Sequence, residues 1–288
     1  MQTRFDRGAE DIGNIVHFEH VNVTIPDQRL ASLFYFAGLG FTRDPYIMVS
    51  DTNMWVNIGR TQIHLPNNRP QVLRGVVGIV VPDLGELAAR LEAVAPKLKD
   101  TKFSYKVRGD YVEATCPWGN VFRCHAPAPE YGRTQLGIAY VEFGVAPGAA
   151  DGIVRFYREV IGAHARLDNG SAGRVARVGC NRDQAMLFRE TDQPIPDYDG
   201  HHVAVYLADF SGPHRWLDEH GLITEESDQY QYRFLDIVDP DSRKPLFRIE
   251  HEIRSMTHPL YARPLVNRNP AQTNRNYVPT HDDFLGSY

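Results

Sequence analysis

Histidine has the widest chemical reach of the residue types in this sequence. Its imidazole exchanges protons near neutral pH and is the commonest protein ligand for metals. In the alternating run His17–Ile25, His20, Asn22 and Thr24 fall on one face of a strand and Val21, Val23 and Ile25 on the other. His64 stands in Gln62-Ile-His-Leu65, His125 ends the run Val121–His125, and His202 lies near the start of His201–Leu207. A lone strand histidine is ordinarily hydrogen-bonded and structural, so chemistry requires that the fold bring several together. His17, His164, His201, His214 and His220 are read as surface or supporting residues. The three cysteines, Cys116, Cys124 and Cys180, have no CxxC spacing, and the odd count supports neither a disulfide framework nor a zinc ribbon. Cys124 reads as a small core residue.

Composition narrows the partners. With 31 basic and 36 acidic residues the chain carries a net charge of −5 and no basic stripe, which argues against a nucleic-acid partner. No apolar run approaches the ~20 residues that span a bilayer. The stretch Met1–Gly13 is polar and holds Asp6, Glu10 and Asp11, so neither a membrane nor a secretory signal is expected, and a reducing cytoplasm is the expected compartment.

The elements that must position these residues recur four times. Each unit reads as strand, helix, then strands. The first opens with His17–Ile25, continues with a helix over Arg29–Ala37, and closes with strands near Tyr46–Ser50, Met54–Ile58 and Thr61–Leu65. The second opens with Gly75–Val81, followed by a helix over Leu84–Val94 and strands Phe103–Val107, Tyr111–Thr115 and Val121–His125. After the linker Ala126–Thr134, the third has strand Ile138–Val145, helix Gly152–Ile161 and strands Arg174–Val178 and Gln184–Arg189. The fourth has His201–Leu207, a helix near His214–Glu219, and strands Gln231–Val238 and Leu246–Glu252. Alignment of the first strands puts His20, Val76, Tyr140 and His202 at equivalent positions. The last strands match as Val121-Phe-Arg-Cys-His125 with Leu246-Phe-Arg-Ile-Glu250.

The segments starting at His20 (HVNVTI) and His201 (HHVAVYLADF), with Thr61–Pro66 (TQIHLP), Pro117–Phe122 (PWGNVF) and Phe247–Glu250 (FRIE), make the chain resemble the vicinal oxygen chelate superfamily. That superfamily holds glyoxalases, bleomycin-resistance proteins and extradiol ring-cleaving dioxygenases. The resemblance spans roughly residues 14 to 255. It implies an α+β fold of tandem paired βαβββ units, two half-open barrels in one chain, with domains at 14–128 and 136–256 and an extended tail over 257–288. It also implies a divalent metal held by residues on first and last strands and chelating adjacent substrate oxygens.

Carried over residue by residue, the resemblance implies ligands His20 and His64 in the first half, with Val76 at a third position. The fourth is Arg123 or His125, one pleat apart, depending on register. In the second half it implies His202 and Glu250, with Tyr140 where the dioxygenases have a second histidine. Glu142, two residues on, is the candidate substitute, and Phe188 takes the remaining position. The expected function is a metal enzyme of the ring-cleaving dioxygenase type acting on a catechol-like compound, with Fe(II) as the metal and Tyr140, His202 and Glu250 as its catalytic residues. A glyoxalase-like isomerase or lyase using Zn, Mn or Ni is the second reading, and a metal-free binder of small aromatic compounds the third. The partner expected is a small-molecule substrate, and a homodimer stays open. The tail is read as a strap across the mouth of a barrel, its own or a partner's, with Tyr261, Arg263 and Arg268 meeting an acidic or phenolic substrate.

Overall fold

Unit one pairs with unit four, and unit two with unit three. The computed structural model describes residues 5–170, 173–268 and Arg275, and among these sixteen strands form two eight-stranded mixed sheets. In the first sheet, Ile15–Asn22 and His202–Leu207 run antiparallel at the centre, with Phe18 opposite Val205 and Val21 opposite Val203. Unit one extends the sheet on one side through Thr61–Pro66, Asn53–Ile58 and Thr42–Arg43. Unit four extends it on the other through Pro245–Ser255, Gln231–Val238 and Ile223–Asp228.

The second sheet repeats the plan around Gly75–Val80 and Gly137–Val145, with Val77 opposite Val141. Strands Val121–His125, Tyr111–Thr115 and Ser104–Val107 extend it on one side. Ala185–Glu190, Gly173–Gly179 and Ala165–Gly170 extend it on the other. The expected halves 14–128 and 136–256 therefore each give one unit to each sheet. Units two and three, joined through the linker, close on one another, which leaves unit one to take unit four.

The helices bury apolar stripes against one face of these sheets. Leu84–Leu98 starts on Asp83, whose carboxylate accepts the Glu86 N–H at 2.9 Å, and buries Leu87, Leu91, Val94 and Leu98. It runs past the expected end at Val94. Burial of Leu98 offsets the hydrogen bond that Pro96 cannot donate. The described helices include none long and apolar enough to cross a membrane.

Two local expectations change. Tyr46–Ser50 is not a strand, because the buried Asp44 carboxylate takes the N–H groups of Tyr46 and Ile47 and so removes them from any ladder. The second strands of units three and four, Ala165–Gly170 and Ile223–Asp228, are sheet edges with mostly polar, exposed residues, and so carry no apolar signal. Cys124 is a fully buried core residue as expected, and burial pushes its thiol up to about 12.

Alternation divides the last strand of unit four between two environments. Glu250 and Glu252 lie on one face, while His251 enters the core, stacked on Phe234 at 4.3 Å and bonded to the Tyr157 hydroxyl at 2.6 Å. Burial lowers the His251 pKa to about 4. The folded protein thus takes up this proton near pH 4 and the unfolded chain near 6.5, so stability present above pH 6.5 is lost as pH falls toward 4. That is about 2–3 kcal/mol across the window. Urea-unfolding free energies measured from pH 7 to 4.5 should fall less steeply for His251→Gln than for wild type, and equal slopes would contradict a neutral buried imidazole.

Candidate metal centre

The two-fold relation within the first sheet brings together residues from opposite ends of the sequence. Its antiparallel centre is Val21 opposite Val203, with His20 beside Ala204 and Asn22 beside His202. On the flanks, Asn22 pairs with His64 and Ala204 with Glu252. The pseudo-symmetry therefore exchanges His20 with His202 and His64 with Glu252. The carboxylate that the ladder brings beside these histidines is Glu252, one pleat beyond the expected Glu250; a shift of two residues keeps the same face.

His20, His202 and Glu252 are all buried, and one donor atom from each lies within 4.8 Å of the others. His20 Nδ1 bonds Glu19 Oε2 at 3.1 Å, and its Nε2 has no partner. His202 Nδ1 lies 3.2 Å from Glu250 Oε1, while its Nε2 stands 3.5 Å from Glu252 Oε2 without a hydrogen bond. Glu252 also meets Arg233 and Arg254, each at 2.6 Å. Burial lowers the His20 pKa. Burial also opposes charge on His202, but the neighbouring carboxylates of Glu250 and Glu252 outweigh this and raise its pKa. Burial of Glu252 is overcome by His202, His20 and Arg254, which hold it far below the usual carboxylate range. Two imidazoles with unpartnered nitrogens beside an anionic carboxylate are a donor set that could hold a first-row divalent cation.

His64 borders this group, its ring centroid 6.0 Å from that of His20. It stacks on Trp55 at 3.9 Å, and its Nε2 bonds Asn53 Oδ1 at 2.9 Å. A carbonyl oxygen only accepts, so His64 carries its proton on Nε2 and offers the Nδ1 lone pair. Burial, with His20 and His202 nearby, lowers its pKa to about 2.

The other candidates lie in the second sheet. The positions matching His20, His64, His202 and Glu252 are Val76, Arg123, Tyr140 and Leu187. Leu187, not the core residue Phe188, stands in register beside Glu142. Glu142 pairs with Arg189 at 2.8 Å, Arg123 with Glu113 at 3.2 Å, and the Tyr140 hydroxyl meets His125 Nε2 at 3.0 Å. Burial pushes the Tyr140 hydroxyl up to about 12, so it keeps its proton at neutral pH. Gly78 makes room for this ring, since a Cβ there would come within 2.1 Å of it. The structure thus separates His125, Tyr140 and Glu142 from His20, His64, His202 and Glu250. Elemental analysis of Glu142→Gln and His125→Gln should show wild-type metal content; a loss in either would move the centre to this sheet.

The described part of the tail crosses its own first unit. Asn267 bonds the N–H and carbonyl of Gly59 at 2.9 and 2.8 Å, and Arg263 pairs with the buried Asp44 at 2.6 Å. Tyr261 packs on Tyr206 at 5.0 Å. Arg263 is therefore engaged within the protein, and Arg268 donates its N–H to Thr42. The expected tail beyond residue 268, apart from Arg275, lies outside the described residues. A partly open pocket of about 170 Å³ lies between this strap and the sheets, bordered by His17, Glu19, Gln62, Tyr206 and Tyr261.

Sequence reasoning missed Glu252, Glu19 and Arg254. The pleat ambiguity weighed for Arg123 and His125 applies equally to Glu250 and Glu252 and was the available signal for the first. Glu19 had no such signal, because its placement depends on an irregularity in the strand.

Two mixed sheets of paired βαβββ units constitute the vicinal oxygen chelate fold. Glyoxalase I from Zea mays shares it at a TM-score of 0.58 and 16% identity, over 83% of this chain and 92% of that one. A putative dioxygenase from Bacillus subtilis subsp. subtilis str. 168 shares it at a TM-score of 0.54 and 14% identity, over 85% and 86%. No family model and no curated protein matches the sequence.

Proposed function

We propose that this chain is a divalent-metal enzyme of the ring-cleaving dioxygenase type, acting on a small catechol-like compound with two adjacent oxygens. One observation carries the reading: donor atoms from buried His20, His202 and Glu252, one each, share a 4.8 Å neighbourhood, and the Nε2 atoms of both histidines are without hydrogen bonds. A buried carboxylate beside two imidazole nitrogens without hydrogen bonds is unfavourable alone, and a cation among them satisfies all three. Two histidines and one carboxylate with open positions favour Fe(II). When bound, such a metal supplies Lewis acidity, a template for paired substrate oxygens and, as Fe(II), access to O₂ chemistry.

The chain's own residues supply the rest. Glu252 remains anionic through its contacts with His202, Arg233 and Arg254. Glu250 shares Arg233 with it, at 2.8 Å, and holds His202 from the Nδ1 side. His64, fixed by Asn53 and Trp55, keeps an unprotonated Nδ1 lone pair at the edge of the centre, and with a pKa of about 2 it serves there as a neutral donor and not as a proton acceptor.

The same lone pair supports a second reading. His64 sits at the pseudo-symmetric counterpart of Glu252, and four protein donors suit a redox-inert Zn, Ni or Mn in a glyoxalase-like isomerase or lyase. Elemental analysis of protein purified anaerobically without chelator separates these readings. Near-stoichiometric iron with O₂ uptake on catechols is expected. Zinc, nickel or manganese with isomerase or lyase activity would establish the second reading. Failure to bind or be loaded with any metal would leave a metal-free binder.

A further inference from the structure

The central ladder of the first sheet shifts register at two points, between Ile15 and His17 and again between Phe18 and His20, and the second lies beside the metal centre. Phe18 pairs with Val205 and His20 with Ala204, so Glu19 is an extra residue in its strand. A regular strand sends neighbours to opposite faces, whereas this bulge lets Glu19 and His20 share one. Glu19 is buried, its side chain 8% exposed. It accepts from His20 Nδ1 at 3.1 Å, from the Tyr206 hydroxyl at 3.1 Å and from Arg254. Arg254 reaches Glu252 as well, so one guanidinium ties Glu19 to the carboxylate of the centre.

We propose that Glu19 is the positioning residue of this centre. As an ionised carboxylate it only accepts hydrogen bonds, so the His20 proton sits on Nδ1 and the Nε2 lone pair is turned toward His202 and Glu252. Tyr206 and Arg254 hold the carboxylate in place, and Tyr261 of the strap backs Tyr206. This assignment rests on the metal-site reading above and goes beyond it by naming the group that selects which nitrogen of His20 binds.

The test uses the full chain, stripped of metal by chelator dialysis and titrated with Zn²⁺ against a chromophoric competitor. Glu19→Ala should weaken Zn²⁺ binding by about 10–100-fold, the range for loss of a group that orients a ligand. Glu19→Gln keeps a carbonyl acceptor for Nδ1–H and should lose several-fold. Imidazole ¹⁵N spectra of the metal-free protein should show His20 protonated at Nδ1 in wild type and Glu19→Gln, and mixed between tautomers in Glu19→Ala. Wild-type affinity in both variants would overturn the proposal, as would weakened binding with an unchanged His20 tautomer in Glu19→Ala. If Glu19→Ala does not fold, Glu19→Gln decides: a several-fold loss at an unchanged thermal midpoint supports the role, and no loss overturns it. A wild-type protein that binds no Zn²⁺, or a His20→Ala variant that binds it as tightly as wild type, would overturn the centre itself and Glu19's role with it.

Discussion

His20→Ala and His202→Ala should each weaken metal binding on the order of 10²–10³-fold, although the two residues come from the first and last units of the chain. A protein site that binds Zn²⁺ with ~10–16 kcal/mol divides that energy among a few ligands, so each is worth several kcal/mol. Glu252→Ala should match them. Glu250→Ala should lose less than about tenfold, because Glu250 is partly exposed and reaches the centre only through His202. Competition titrations across the four variants read the order directly. A larger loss for Glu250 than for Glu252 would mean that the ladder places the wrong carboxylate at the centre.

Arg254→Ala should be among the most destabilising single changes available, costing the metal-free protein about 3–5 kcal/mol. The Arg254 side chain is 7% exposed and lies between Glu19 and Glu252, whose side chains are 8% and 4% exposed. Its removal leaves two buried carboxylates without their shared cation. In wild type, folding holds both carboxyl groups below their ordinary values. That stability is present above about pH 4.5 and is lost as pH falls. In Arg254→Ala both groups take up protons at higher pH, so the deficit should shrink on acidification. Urea midpoints at pH 7 and pH 5 test this, and a deficit under 1 kcal/mol at pH 7 would show that Arg233 and the histidines already suffice.

The sequence carries the repeat openly. His20-Val-Asn-Val and His202-Val-Ala-Val match because equivalent strands must place an apolar face on helices and a polar face in a cup. Partner choice was not legible. All four first strands present similar apolar faces, and nothing local to His20 says that Val21 will meet Val203 and not Val77 or Val141. The expected ligands were therefore assigned to separate halves, where neither set was complete. Pairing of units one and four unites His20, His64 and His202 in one place. Glu252 was hidden by a pleat: Glu250 and Glu252 share a face, and only the ladder beside His202 and Ala204 tells them apart. Glu19 was hidden by the bulge, because strict alternation cannot put it beside His20. The loop after Asp44 looked like a strand because Tyr46-Ile-Met-Val49 is a continuous apolar run, while the carboxylate that diverts its N–H groups acts through a local turn.

Pairing of the outermost units also sets a schedule for biosynthesis. At ~5–20 residues per second, the strand bearing His20 emerges on the order of tens of seconds before the one bearing Glu252. Units two and three can zip together in that interval, but Ile15–Asn22 must wait with one backbone edge open, a segment exposed to wrong partners. No nascent or truncated chain that lacks the fourth unit can assemble the centre, so metal cannot template the early steps of folding. Bound metal would then act as a seal of completion, present only on chains translated to the last strand and correctly closed.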